Sequence, residues 1–178
     1  SEVEEILRRI KEEVRESLED LRRVLEEIEK KAKESLRELK EVLERVKEIA
    51  DKLKRLLDEG RDIRELEEEL KKVDEEIDRI ARRNKEENRR VLDEVRKVAK
   101  RNKDRNKEAL RRVEKDIRDE KLLRDIKRDL ERSLEAVDKI VKEIMERIKE
   151  SLKATERIVK EMKDLITRVR EEVKRRAE

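Results

Sequence analysis

An apolar stripe that returns every 18 residues limits what this chain can fold into. It begins Val3, Leu7, Ile10, Val14, Ser17 and restarts at Leu21 and at Leu39. The second pass reads Leu21, Leu25, Ile28, Ala32, Ser35, and the third Leu39, Leu43, Val46, Ala50, Leu53, Leu57. Later in the chain, "IKRDLERSLEAVDKIVKE" from Ile126 is echoed by "IMERIKESLKATERIVKE" from Ile144, and the middle part repeats from Ile63, Ala81 and Ala99. Eighteen residues make about five turns of an ordinary α-helix. A seven-residue apolar repeat would impose a left-handed supercoil and an eleven-residue repeat a right-handed one. The 18-residue repeat matches the undistorted helix, so the stripe runs along the axis. Long, nearly straight helices are predicted.

Composition agrees with that reading. Charged residues are 60% of the chain, against about a quarter in ordinary globular domains. There is no aromatic, Pro, Cys or His, and Gly60 is the single glycine. The residues that dominate are strong helix formers. Low hydrophobicity raises the question of disorder. The near balance of 55 basic against 52 acidic residues, net +3, argues against it. So does the strict periodicity, for which a disordered chain has no need.

Two breaks divide the chain into three. In "LLDEGRDIRE", Gly60 suits the left-handed position after a helix end. Asp62 then reads as an N-cap with Glu65 completing a capping box, and Ser1 with Glu4 forms the same signature at the start. The second break, "DIRDEKLLRD", lacks glycine; it is placed at residues 118–121 with Asp119 as the cap. The helices predicted are about 2–58, 62–118 and 120–177, in one domain spanning 1–178. Each would be roughly 85 Å long. Short connections between equal helices make antiparallel neighbours. The fold expected is therefore all-α, an up-down-up three-helix bundle. Flanking apolar pairs such as Val24–Leu25, Val91–Leu92 and Ile140–Val141 give each helix a stripe wide enough to face two partners.

The repeat, the capping boxes, the missing aromatics and the uniform Glu/Lys/Arg surface together resemble the de novo designed straight helical bundles. In that class the 18-residue repeat is chosen to remove supercoil. The resemblance covers the whole chain. It implies a very stable scaffold with planned buried hydrogen-bond networks, no natural biochemical function, no enzymatic activity, no ligand, and residence in the cytoplasm of an expression host. Spectrin-like repeats are the nearest natural analogue in shape, but they carry core aromatics that this chain lacks.

Polar residues interrupt the stripe at a few places. Asn84, Asn88, Asn102 and Asn106 stand where Leu, Ile or Val would fit. In antiparallel packing, residue i of the first helix faces about 120 − i of the second, and residue j of the second faces about 240 − j of the third. Asn84 and Asn88 then fall level with Ser35, Ser151 and Thr155, and Asn102 and Asn106 with Ser17 and Ser133. Two buried amide–hydroxyl layers are one reading of this alignment. They would pin helix register, since a slipped helix would leave amides unpaired at about 1–3 kcal/mol each. Wet boundary positions are the plainer alternative.

Other chemistry finds little support. Bundle metal sites need inward carboxylates and histidine, and this chain has no His or Cys. No cofactor or metal is expected. The serines have no base to activate them, so no catalytic residue is assigned. From Arg82 to Arg112 there are 14 Lys/Arg against 6 Asp/Glu, an excess of eight. With acids interleaved and no aromatic for base stacking, that stretch reads as a solvated face, and no nucleic-acid partner is expected. No run approaches a membrane span, and no signal peptide opens the chain. A monomer requiring no partner is expected. The wide stripes leave a second arrangement open, a homo-oligomer or domain-swapped dimer assembled through the long helices.

Overall fold

The computed structural model describes residues 2–177, apart from the side chain of Val3, so the proposed box at Ser1 lies outside the described residues. Three α-helices account for nearly all of it: α1 (Glu2–Asp58), α2 (Arg64–Asp116) and α3 (Glu120–Ala177). Acidic side chains open α1 at Glu2, Glu4 and Glu5, and basic ones close α3 at Lys174, Arg175 and Arg176. Both placements favour the helix dipole.

The 18-residue repeat is visible in burial. In α1, Ile10, Ile28 and Val46 are all buried, as are Leu21 and Leu39. In α2 the series is Ile77, Val95, Val113, and in α3 it is Ile126, Ile144, Met162 and Leu130, Ile148, Ile166. One detail departs from the predicted stripe. Val24, Val42 and Ile49 are buried, whereas Leu25, Leu43 and Ala50 are only half-buried. Each pair straddles a stripe that must face two helices, and the β-branched member is the buried one in all three cases.

Contacts divide the chain into two compact units, Ser1–Glu29 with Asn88–Ile148, and Lys30–Glu87 with Lys149–Glu178. Each unit contains a segment of every helix and is a three-helix bundle. The first packs Ile10 and Val14 of α1 against Val113 of α2 and Ile126 and Leu130 of α3, with Ile117 from the turn added. The second packs Leu39, Val42, Val46, Ile49 and Leu53 against Leu70, Val73, Ile77 and Ile80, and against Met162 and Ile166. Fully burying one such side chain is worth about 1.5–3 kcal/mol. In these units the aliphatic core is the main stabilising term.

Ion pairs between helices reveal the chain directions. In the second unit Arg45 pairs with Glu76 at 2.8 Å, and Arg83 with Glu38, so α1 and α2 numbers add to 121 both times. Such a constant sum means antiparallel helices. Between α2 and α3, Lys127 meets Glu114 at 3.0 Å in the first unit and Lys163 meets Asp78 at 2.9 Å in the second; both sums are 241. Between α1 and α3 the difference is constant instead. Arg147 meets Glu29 in the first unit and Arg176 meets Asp58 in the second, each 118 residues apart, so these two helices run parallel. Up-down-up order holds in each unit.

The two connections are built differently. Gly60 has φ of 68°. Its N–H donates to the Leu57 carbonyl at 3.2 Å, and the Arg61 N–H donates to the Leu56 carbonyl at 2.9 Å. This pair of bonds is the Schellman closure, which satisfies carbonyls left over at a helix end. Asp62 acts one step earlier than an N-cap. Its Oδ1 accepts from the Arg64 N–H at 3.1 Å, and its carboxylate also grips the Arg64 guanidinium. That local turn makes the Ile63 carbonyl the first helical acceptor, from Glu67 at 3.0 Å, so α2 starts at Arg64 rather than residue 62. The partner of Asp62 is Arg64, not Glu65. In the second connection Asp119 is a full N-cap, accepting from the Lys121 and Leu122 N–H groups at 3.1 and 3.4 Å. No glycine is needed there. Ile117 turns its side chain into the first unit's core, and α2 ends at Asp116, two residues before the predicted end.

Candidate functional site

The polar residues singled out from sequence fall into two classes of burial. Asn84, Asn88, Asn102, Asn106, Ser35, Ser151 and Thr155 are all buried, none more than 8% exposed. Ser17 and Ser133 are only half-buried. All nine lie within helices whose neighbouring inward positions are aliphatic.

Asn84 and Thr155 belong to the second unit, one on α2 and one on α3. The Asn84 Nδ2–H donates to Thr155 Oγ1 at 2.9 Å, and the bond is buried. The two numbers add to 239, within one residue of the expected level. Ser35 and Ser151 are buried in the same unit. A hydrogen bond to an uncharged partner contributes about 1 kcal/mol net, but losing one partner costs about 1–3 kcal/mol because the other is already desolvated. The second figure makes this bond a register constraint. A one-turn slip of α3 in one direction would set Val159 against the amide, and in the other it would replace Thr155 with Ser151.

The Asn102–Asn106 layer is arranged differently. Asn106 Nδ2 donates to Asn102 Oδ1 at 2.7 Å, a bond within α2 and not between helices. Ser133, expected beside it, donates its hydroxyl to the Asp129 carbonyl one turn back at 2.9 Å. This local back-bond is the usual competitor for a helical serine. Asn88 Nδ2 and Asn102 Nδ2 are buried with no hydrogen-bond partner. The first unit therefore carries two amide donors that no protein group satisfies.

A charged cluster in the second unit was not anticipated from sequence. Lys163 of α3 contacts Asp74 and Asp78 of α2, the latter at 2.9 Å, and Arg170 reaches Asp74 at 3.6 Å. Partial burial by itself would lower the Lys163 ammonium's pKa, but hydrogen bonds to both aspartates outweigh it and raise the value above the ordinary lysine range. Amid so many charges no local motif marks these residues. The antiparallel level rule would have found them, since 78 and 163 are matched positions.

Little else could host chemistry. Among the described residues no group of three or more His, Cys, Asp or Glu is placed to hold a metal ion. No described helix is long and apolar enough to cross a membrane. A groove of about 700 Å³ in the second unit has Leu53, Leu70, Val169 and Val173 along its floor and a mixed-charge rim, with no buried polar group in it.

The fold defines the class as an all-helical three-helix bundle. No family model matches the chain, and no curated protein sequence matches it. Among solved structures it is similar to a computationally designed three-helix bundle, at 21% identity and a TM-score of 0.43, over 98% of this chain and 85% of that one.

Proposed function

We propose that this chain is a de novo designed structural scaffold, a monomeric single domain of straight helices, in which buried polar side chains select one helix register. It is not built as an enzyme. The observation that carries this reading is the buried Asn84–Thr155 bond between α2 and α3. A core of repeating Leu, Ile and Val tolerates slips of a turn, because one aliphatic contact replaces another. A buried amide–hydroxyl pair narrows that tolerance, as polar core residues do in coiled coils. The unbroken 18-residue pattern and the glycine-free second turn support deliberate construction.

The test replaces the pair with apolar residues of similar shape, Asn84→Leu with Thr155→Val. The doubly substituted chain is expected to stay helical and at least as stable. It should lose uniqueness, shown by extra oligomers in light scattering or doubled methyl resonances. A variant that remains one sharp species at 21.7 kDa would remove the register role. If the unsubstituted chain itself weighed a concentration-independent multiple of that mass, the helices would be assembling between chains, and the monomer reading would fail.

A further inference from the structure

In the first unit, one flank of α2 is rich in cations. Arg89, Arg96, Lys100, Lys103, Lys107 and Arg111 are spaced by seven, four, three, four and four residues, the spacing of one helix face, and all six are exposed. The line is roughly 33 Å long at 1.5 Å per residue. Asp93, four residues after Arg89 and three before Arg96, lies within the line, and Asp104, four after Lys100 and three before Lys107, lies beside it. The flank is the one turned toward α3, because Glu114, three residues beyond Arg111, pairs there with Lys127.

None of the six takes part in an ion pair among the described residues. The facing flank of α3 offers Glu131 and Asp138, four and eleven residues beyond Lys127, and neither closes on the line. The equivalent seam of the second unit behaves otherwise. There the α2 acids Asp74 and Asp78 are matched by Lys163 and Arg170 from α3. In the first unit the six cations meet no such partner among the described residues.

We infer that this line is a docking ridge for the phosphodiester backbone of a nucleic acid, bound without regard to sequence. Arginine can take phosphate oxygens in pairs, and lysine supplies a point charge. The chain has no aromatic to stack on bases, so nothing here reads sequence. This goes beyond the scaffold reading and revises the expectation that the basic stretch is merely solvated. Of the six acids between Arg82 and Arg112, Glu87, Glu94 and Glu108 sit on other faces of the helix, whereas Glu86, Asp93 and Asp104 lie on or beside this one.

The test is fluorescence anisotropy of the full chain with a labelled oligothymidylate and with a mixed-sequence DNA duplex, from about 50 to 200 mM salt. Binding should weaken with salt, with a logarithmic slope of up to about −4 for the single strand and −5 for the duplex if all six cations engage. The arm with the higher affinity identifies the form preferred. Lys100→Gln, Lys103→Gln and Lys107→Gln together should weaken binding about tenfold or more at the lowest salt and flatten the slope by about 2–3. Exposed Arg8, Lys11 and Arg22 of α1, changed to Gln, remove the same charge elsewhere and should leave most of the affinity. Circular dichroism confirms that both variants keep their helices. Equal losses in the two variants would reduce the effect to net charge and overturn the ridge. So would no DNA binding at the lowest salt, or binding to a heparin oligosaccharide but not to DNA.

Discussion

Thr155 and Asn88 are both buried polar positions, yet removing them has opposite expected effects. Thr155→Val takes away the acceptor of the Asn84 amide and strands a buried donor. It should destabilise the protein by about 1–3 kcal/mol. Asn88 already has a buried Nδ2 without a partner. Asn88→Leu removes that unmet donor and adds apolar contact, so stability should rise by about 1–3 kcal/mol. Urea denaturation of the two variants beside the parent measures both signs at once. A loss of stability in Asn88→Leu would show that its amide is satisfied after all. These positions were legible in sequence because each asparagine breaks a periodic stripe. Their bonds were not. Level arithmetic places Asn106 beside Ser133, but it knows nothing of side-chain competition. Asn106 found Asn102 on its own helix, and Ser133 found the Asp129 carbonyl.

At the scale of the element, the helix ends show what local sequence can determine. Gly60 and Asp119 were readable because each solves a backbone problem no other nearby residue solves. Gly60 adopts a left-handed φ, and Asp119 supplies an oxygen to two N–H groups. A Cβ added at Gly60 would meet nothing within 4 Å. Gly60→Ala is therefore a clean measure of backbone strain, with an expected cost of about 1–2 kcal/mol. Thermal denaturation reads it, and a cost near zero would mean that the turn relaxes away from the left-handed conformation. The start of α2 was two residues off because Asp62 binds Arg64 and thereby delays the first helical acceptor. Which member of an apolar pair lies deepest was also hidden. Leu25 and Val24 differ by one residue, and the choice depends on where two neighbouring helices sit.

The whole molecule has an unusual relation to pH. It contains no His, Cys or Tyr, so no side chain titrates ordinarily between the carboxylates and the lysines. The denaturation midpoint should be flat from about pH 5.5 to 9.5. At the acid edge, Asp62 is held below the usual carboxylate range, chiefly by its hydrogen bond with the Arg64 side chain. Its contribution is present above the unfolded aspartate value of about 3.9 and is lost as pH falls through the lowered folded value. At the alkaline edge the sign is reversed. Lys163 has a raised value in the folded state, so its contribution is complete below the unfolded lysine value of about 10.4 and disappears as pH climbs through the higher one. Urea midpoints across the range, with Lys163→Met as comparison, measure the curve. A step near neutral pH would contradict it. The fold as a whole was legible because period, caps and connection lengths all point to one topology. The Lys163 cluster was not, because with so many charges only three-dimensional pairing separates partners from bystanders.

The two methionines give the protein an internal chemical clock. Met145 is 39% exposed, while Met162 is completely buried in the core of the second unit. Mild peroxide should convert the first thioether to its sulfoxide quickly and leave the second untouched until that core opens. Peptide mass spectrometry after timed exposure would then report, from one unlabelled sample, both the oxidant's strength and how often the core opens. Equal rates at the two sulfurs would mean that the core around Met162 is open most of the time.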